Sequence, residues 1–266
     1  MPTERCAVFL FAHQDDEFGV LQRIRNYRRR GLRVACAYLT DGQTAQASAA
    51  VRNAESLAVL AGLGVGPADV AFAGQACGIG DARLPLHLDA AAAWLRAWLD
   101  GLGEIEALYL PAWEGGHHDH DALHALGVRI AAARGLLGRA RQFPLYQAAG
   151  LPGPLFRVLA PLPENGPAEA LRLPWGDRLR NLRCCLSYPS QRVTWLGLFP
   201  FVLLHTLARG VERVQAVDPA RLAERPHAGP LYYEKRQFFT WERLRALLDS
   251  WHAAWPASPA DKESRP

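Results

Sequence analysis

Short apolar runs alternate with amphipathic stretches through the first half of the chain. The runs near 6–11, 33–39, 69–73 and 107–110 are brief and rich in Val, Phe, Leu, Tyr and Ala, which predicts buried strands. The stretches 17–30, 49–62, 87–100 and 119–134 repeat apolar positions at helical spacing and predict helices. This alternation predicts an α/β fold: a Rossmann-like, mostly parallel sheet flanked by helices and joined by right-handed crossovers. No G-x-G-x-x-G follows the first strand, which argues against a dinucleotide site.

The second half is less regular. Residues 150–176 are rich in Pro and Gly and predict loops with one strand at 155–159, and 177–187 predicts a helix. The segment 193–207 is strongly apolar but short, and it contains Pro200 and His205. It predicts first a buried or homo-oligomer-contact helix, and second a helix making peripheral membrane contact. The expected organisation is one domain over 1–256, with a core over 5–150 and a C-terminal helical and loop extension over 151–256. A flexible, frayed tail over 257–266 follows.

Half of the 266 residues are hydrophobic, enough for a sizeable core, and the net charge is only +4. Arg28-Arg29-Arg30 ends a predicted helix, where it complements the dipole, so nucleic acid is not an expected partner. The five cysteines have no metal-binding spacing, and the charged N-terminal turn leads straight into a core strand rather than a signal peptide. Both features favour the cytoplasm.

Chemistry concentrates in two places. The apolar run at 8–12 ends in His13-Gln14-Asp15-Asp16-Glu17, at the carboxyl end of the first predicted strand, where open α/β sheets place ligands. Three adjacent carboxylates repel one another in a partly dry site unless a cation is present, and His with Asp is a common zinc ligand pair. The run 108–111 ends the same way, in Glu114-Gly115-Gly116-His117-His118-Asp119-His120-Asp121. His13, Asp16 and one later histidine make three protein ligands and leave a position for water, the pattern of a catalytic rather than a structural ion. Asp15 has two readings, a general base or a helix N-cap.

Ala12-His13-Gln14-Asp15-Asp16-Glu17 resembles the Ala-His-Pro-Asp-Asp-Glu signature of the LmbE/PIG-L family of metal-dependent N-acetylglucosaminyl deacetylases. His117-His118-Asp119-His120 resembles that family's His-Pro-Asp-His motif, about a hundred residues later. Thr40-Asp41-Gly42, Arg52-x-x-Glu55, Leu63-Gly64 and Tyr188-x-Ser190-Gln191 resemble further family positions. Gln14 and His118 replace prolines, so proline's stiffness is missing from both loops.

The resemblance implies zinc, or another divalent ion such as Fe2+, on His13, Asp16 and His120. His124, one turn further along, competes for the third place. It implies Asp15 as general base and a protonated His117, oriented by Asp119, as oxyanion stabiliser. Arg52 and Asp81 are implied to bind a sugar. His118 reads as a simple loop residue. The implied substrate is a small-molecule N-acetyl sugar or glycoconjugate that releases acetate. The alternatives are an amidase on a non-sugar or antibiotic-type N-acyl amine, and a catalytically silent metal-binding module.

Overall fold

The computed structural model describes residues 5–255; the tail expected over 257–266 lies outside them. The first part of the chain runs β1 (Arg5–Phe11), α1 (Leu21–Arg29), β2 (Arg33–Tyr38), α2 (Ala49–Gly62), β3 (Val70–Phe72) and α3 (Ala73–Cys77). It continues through α4 (Leu88–Asp100), β4 (Glu104–Pro111), α5 (His118–Ala133) and β5 (Ala140–Phe143). Strands β1 to β5 pair in parallel in the order β3-β2-β1-β4-β5. The chain moves outward from β1 to β3 and then returns to the other side of β1. That reversal opens a crevice at the carboxyl ends of β1 and β4, and both acidic, histidine-rich loops begin there.

β1 shows why the strands read as continuous apolar runs. Cys6, Val8 and Leu10 enter a layer closed by α4, α5 and a C-terminal helix, α9 (Trp241–Ala254). Ala7, Phe9 and Phe11 enter the opposite layer against α1 and α2. Both faces are covered, so the period of two is hidden in the sequence.

The extension departs from its expected helix-and-loop character. After a small ribbon of β6 (Tyr146–Gln147) and β7 (Arg157–Val158), it supplies β8 (Ala168–Arg172) and β9 (Val211–Ala216). These two add antiparallel to the sheet, β9 on β5 and β8 on β9. One sheet of seven strands therefore joins both parts. β8 falls where only loop was expected, because an edge strand needs one partner and little apolar sequence.

The helix expected over 177–187 is α6 (Trp175–Cys185), and the apolar segment forms α7 (Arg192–Ala208). α7 is core on one side only. Trp195, Leu198 and Val202 are buried, while Val193, Leu196 and Leu204 are 75%, 81% and 67% exposed. Among the described residues no helix is long and apolar enough to cross a membrane. A short helix, α8 (Tyr232–Lys235), sits beneath the second loop, where Tyr232 N–H donates to Gly115 O.

Candidate metal-dependent active site

Three ligand types converge where the β1 and β4 loops meet. His13 Nδ1 lies 3.2 Å from His120 Nε2, and His120 Nε2 lies 3.1 Å from Asp16 Oδ1. All three residues are buried. Atoms held about 2.0–2.1 Å from a tetrahedral ion stand about 3.3 Å apart, so this set fits such an ion with little rearrangement. The backbone prepares it: Asp16 Oδ2 accepts from Ala12 N–H and His13 N–H at 2.9 and 2.8 Å, leaving Oδ1 to face His120. His120 comes from the first turn of α5, whose side chains point back toward the sheet crevice. His124 does not compete. Its Nδ1 lies 2.8 Å from Pro111 O, its ring packs against Trp113, and burial holds it down at about 4.

A second group surrounds the other nitrogen of His13. His13, Asp81, His117 and Asp119 also bring one potential ligand atom each into a common space. His13 Nε2 is 3.0 Å from Asp119 Oδ2 and 3.3 Å from Asp81 Oδ1. Carboxylates on the far nitrogen of a ligating histidine fix its tautomer and free the near nitrogen for metal. Burial opposes charge on His13, but Asp81, Asp119 and Asp16 outweigh it and raise its pKa well above the ordinary value.

The structure reassigns Asp119. Its carboxylate accepts from Ala82 N–H at 2.7 Å and Leu84 N–H at 3.0 Å as well as facing His13, and it is 3.9 Å from His117 Nδ1. What holds His117 is the Asp119 backbone N–H, which donates to Nδ1 at 3.2 Å in an N-cap of α5. The surroundings of His117 oppose the expected protonated ring. Burial first, then the neighbouring His13, His118 and His120, depress it well below the usual histidine range. With Nδ1 accepting, a neutral ring would carry its proton on Nε2. His118 is no simple loop residue: it is fully buried in α5, stacked on Phe239 at 4.4 Å, with Nε2 3.0 Å from Ala82 O.

Asp15 lies beside the three converging residues at φ 115°, ψ −12°, a region that costs a non-glycine residue about 1–3 kcal/mol. Its side chain makes no cap bond, which removes the N-cap reading. Two groups hold the turn. Glu17 Oε2 accepts the Asp15 N–H at 2.8 Å, and Arg52 Nη2 donates to Gln14 O at 2.7 Å. Burial, reinforced by Asp16 and Glu17 against the pull of Arg52 and His13, raises Asp15 to about 8. Glu17 is tied to Tyr38 OH and is likewise raised by burial, which suits a structural part.

Arg52 is only 3% exposed, and its two terminal nitrogens are engaged inside the protein, on Gly42 O at 2.6 Å, Gln14 O, and Asp81 Oδ2 at 3.3 Å, with Asp15 Oδ1 at 3.6 Å. Its guanidinium is a clip across the site rather than a free sugar contact. Asp81 retains a quarter of its side-chain exposure. Burial would raise it, but His13 and Arg52 hold it at about 2.

Several supports went unread in the sequence. Gln14 replaces proline's stiffness with hydrogen bonds, donating to Asn53 Oδ1 at 2.7 Å and Asp41 O at 3.2 Å. Gly42, at φ +64°, is forced by that packing, since a Cβ there would meet Gln14 Oε1 at 1.9 Å. Tyr146 stands against His120 at 5.6 Å, and its carbonyl oxygen would lie 2.0 Å from a Cβ on Gly116. Glu55 takes the Ser190 N–H and Oγ at 2.9 and 2.5 Å, which docks the extension onto α2.

Residues 8–131 match the family described as PIG-L: GlcNAc-PI de-N-acetylase. No curated protein matches the chain. Among solved structures, a deacetylase triple mutant (Orf2*T) of the teicoplanin biosynthetic pathway is 19% identical with a TM-score of 0.58, over 80% of this chain and 98% of that one. The A40926 pseudoaglycone deacetylase Dbv21 is 18% identical with a TM-score of 0.59, over 85% and 99%. N,N'-diacetylchitobiose deacetylase from Pyrococcus horikoshii is 15% identical with a TM-score of 0.55, over 84% and 86%. At these identities the likeness is one of fold. Residues 8–131, with both motifs inside that span, are thus similar to the PIG-L (LmbE-like) deacetylase family domain.

Proposed function

We propose that this protein removes the acetyl group from an N-acetyl amino sugar in a glycoconjugate or polysaccharide or lipid-linked precursor. The observation that carries the reading is the convergence of His13 Nδ1, Asp16 Oδ1 and His120 Nε2 beside a carboxylate, Asp15, that caps nothing. His13, Asp16 and His120 would hold a divalent ion, zinc first and Fe2+ as the alternative, which would supply polarisation of an amide carbonyl and acidification of water. Asp15 takes the attacking water's proton and returns it to the leaving amine. Asp15, raised in the metal-free protein, would be favoured in the ionised form this role needs once a cation is held beside it. Neutral His117 donates from Nε2 to the carbonyl oxygen as that atom becomes negative. Asp119 and Asp81 hold His13. Asp81 also presents its exposed edge to sugar hydroxyls, and Arg52 positions Asp15 and Asp81.

Residues 5–255 act as one domain in this reading, and the five cysteines, which lack metal-binding spacing, suit the cytoplasm. An aromatic wall gives the alternative some support. Tyr146, beside His120, packs on Tyr232 at 5.7 Å and Phe156 at 6.3 Å, which suits an N-acyl amine on a bulky, antibiotic-type scaffold. Both readings draw support from proteins that share the fold, an N,N'-diacetylchitobiose deacetylase and the A40926 pseudoaglycone deacetylase.

The test is acetate release by protein loaded with Zn2+ or Fe2+ across N-acetyl sugars and N-acyl glycopeptides, before and after chelation. Chelator-sensitive release from an amino sugar supports the reading. Release only from non-sugar amides moves the function to the alternative, and no release from any substrate by metal-loaded protein leaves a binding module.

A further inference from the structure

We propose that the face formed by α6 and α7 docks on an anionic phospholipid surface. The described residues include twelve large hydrophobics that stay exposed, and eight of them fall within 175–207. On α6 and its C-cap residue, Trp175, Leu179 and Leu186 recur at spacings that keep them within about 40° of one another around the helix, at 3.6 residues per turn. On α7, Val193, Leu196 and Leu204 do the same within about 80°. Scattered single apolar residues are ordinary on a protein surface, whereas two adjacent helices with continuous apolar stripes are not. α7 gains its stability from its other side, so the exposed stripe contributes nothing to the fold.

The charge around this face selects the occupant. Residues 173–210 contain five arginines and one acid, Asp177. Asp177 is buried and neutralised by Arg25, Arg29 and Arg180. Arg183 and Arg192 are exposed and have no acidic partner within the segment. A cavity of about 300 Å³ between the helices is lined by Leu186, Trp195, Leu196 and Phe199, with Arg192 beside them. That combination suits an acyl chain next to a phosphate. A second copy of the chain fits less well, because a twofold contact would set like-charged arginines against one another. The face reaches the site wall as well, since Phe201 on α7 packs on Phe156 at 5.0 Å, and Phe156 touches Tyr146.

The experiment is co-sedimentation of the full chain with vesicles of phosphatidylcholine alone or mixed with phosphatidylglycerol, and it does not depend on the deacetylase reading. The wild-type chain is expected to bind the mixed vesicles, and to bind more weakly in high salt. L196E/L204E should abolish binding. R183Q/R192Q should weaken it roughly twenty-five-fold, about fivefold for each surface arginine. Unchanged melting and metal content show that both variants fold. Absence of binding to mixed vesicles, equal binding to both vesicle types, or binding indifferent to the variants overturns the proposal. So does a dimer in sedimentation velocity that L196E/L204E dissociates while the wild type ignores vesicles.

Discussion

Replacing Asp119 by Asn separates two accounts of the second motif. In the structure Asp119 Oδ2 serves both His13 Nε2 and Ala82 N–H, and Oδ1 serves Leu84 N–H. An amide keeps one acceptor and turns a donor toward the other partners. Seating its oxygen on His13 strands the buried Leu84 N–H, and the reverse strands His13 and Ala82. Either way the metal-free protein loses about 1–3 kcal/mol for the unsatisfied group. The charge that sharpens the His13 Nδ1 donor also goes, and loss of such a support typically weakens metal binding about 10–100-fold, or about 1.4–2.7 kcal/mol. Titration against a chromophoric chelator measures the affinity. Turnover at saturating metal then shows how much of the defect is metal loss, and most activity should return. Unchanged metal affinity, with a turnover loss that disappears in a H117A background, would refute this reasoning and return Asp119 to His117.

Three further outcomes follow from the same geometry. The folded pKa of His13 is raised, so the metal-free protein gains stability from its charged form below the ordinary value and loses it as pH rises through the raised one. Metal binding needs Nδ1 unprotonated and runs the other way, with affinity climbing about tenfold per pH unit until the raised pKa is passed; a flat pH series by calorimetry contradicts this. D15N should retain metal while kcat falls about 10²–10⁴-fold, and R52Q should move the acid limb of the pH–rate profile upward, because Arg52 holds Asp15 down; near-normal kcat for metal-loaded D15N removes the general base. H120A should lose metal and H124A should keep it while losing stability, read by metal content and thermal melting; the reverse pattern means the motif is misaligned by one turn.

What could be read in the sequence was local. The helix expected over 49–62 is α2, and the strand expected over 6–11 is β1 extended by one residue. Both acidic loops lie at the crevice because each follows a central parallel strand. What escaped depends on contacts distant along the chain. No nearby residue announces that Asp119 faces His13 and the 82–84 backbone. α1 lacks a local cap, and its first N–H groups at Gln22 and Arg23 are taken by Glu212 from β9, 2.9 and 3.1 Å away. Glu212 sits in the run Val211–Ala216, whose apolar and charged alternation is too short to stand out. The φ of Asp15 was equally hidden, since aspartate is imposed on that conformation by Arg52 and Glu17 rather than preferring it.

Anomalous diffraction from crystals loaded with zinc or iron tests the central claim most directly, because two residue groups share His13 and only one uses its Nδ1. The account predicts one ion per chain, about 2.0–2.2 Å from His13 Nδ1, Asp16 Oδ1 and His120 Nε2, with Asp119 still on His13 Nε2. An ion among Asp81, His117 and Asp119 instead, or full occupancy in a crystal of H120A, would contradict it.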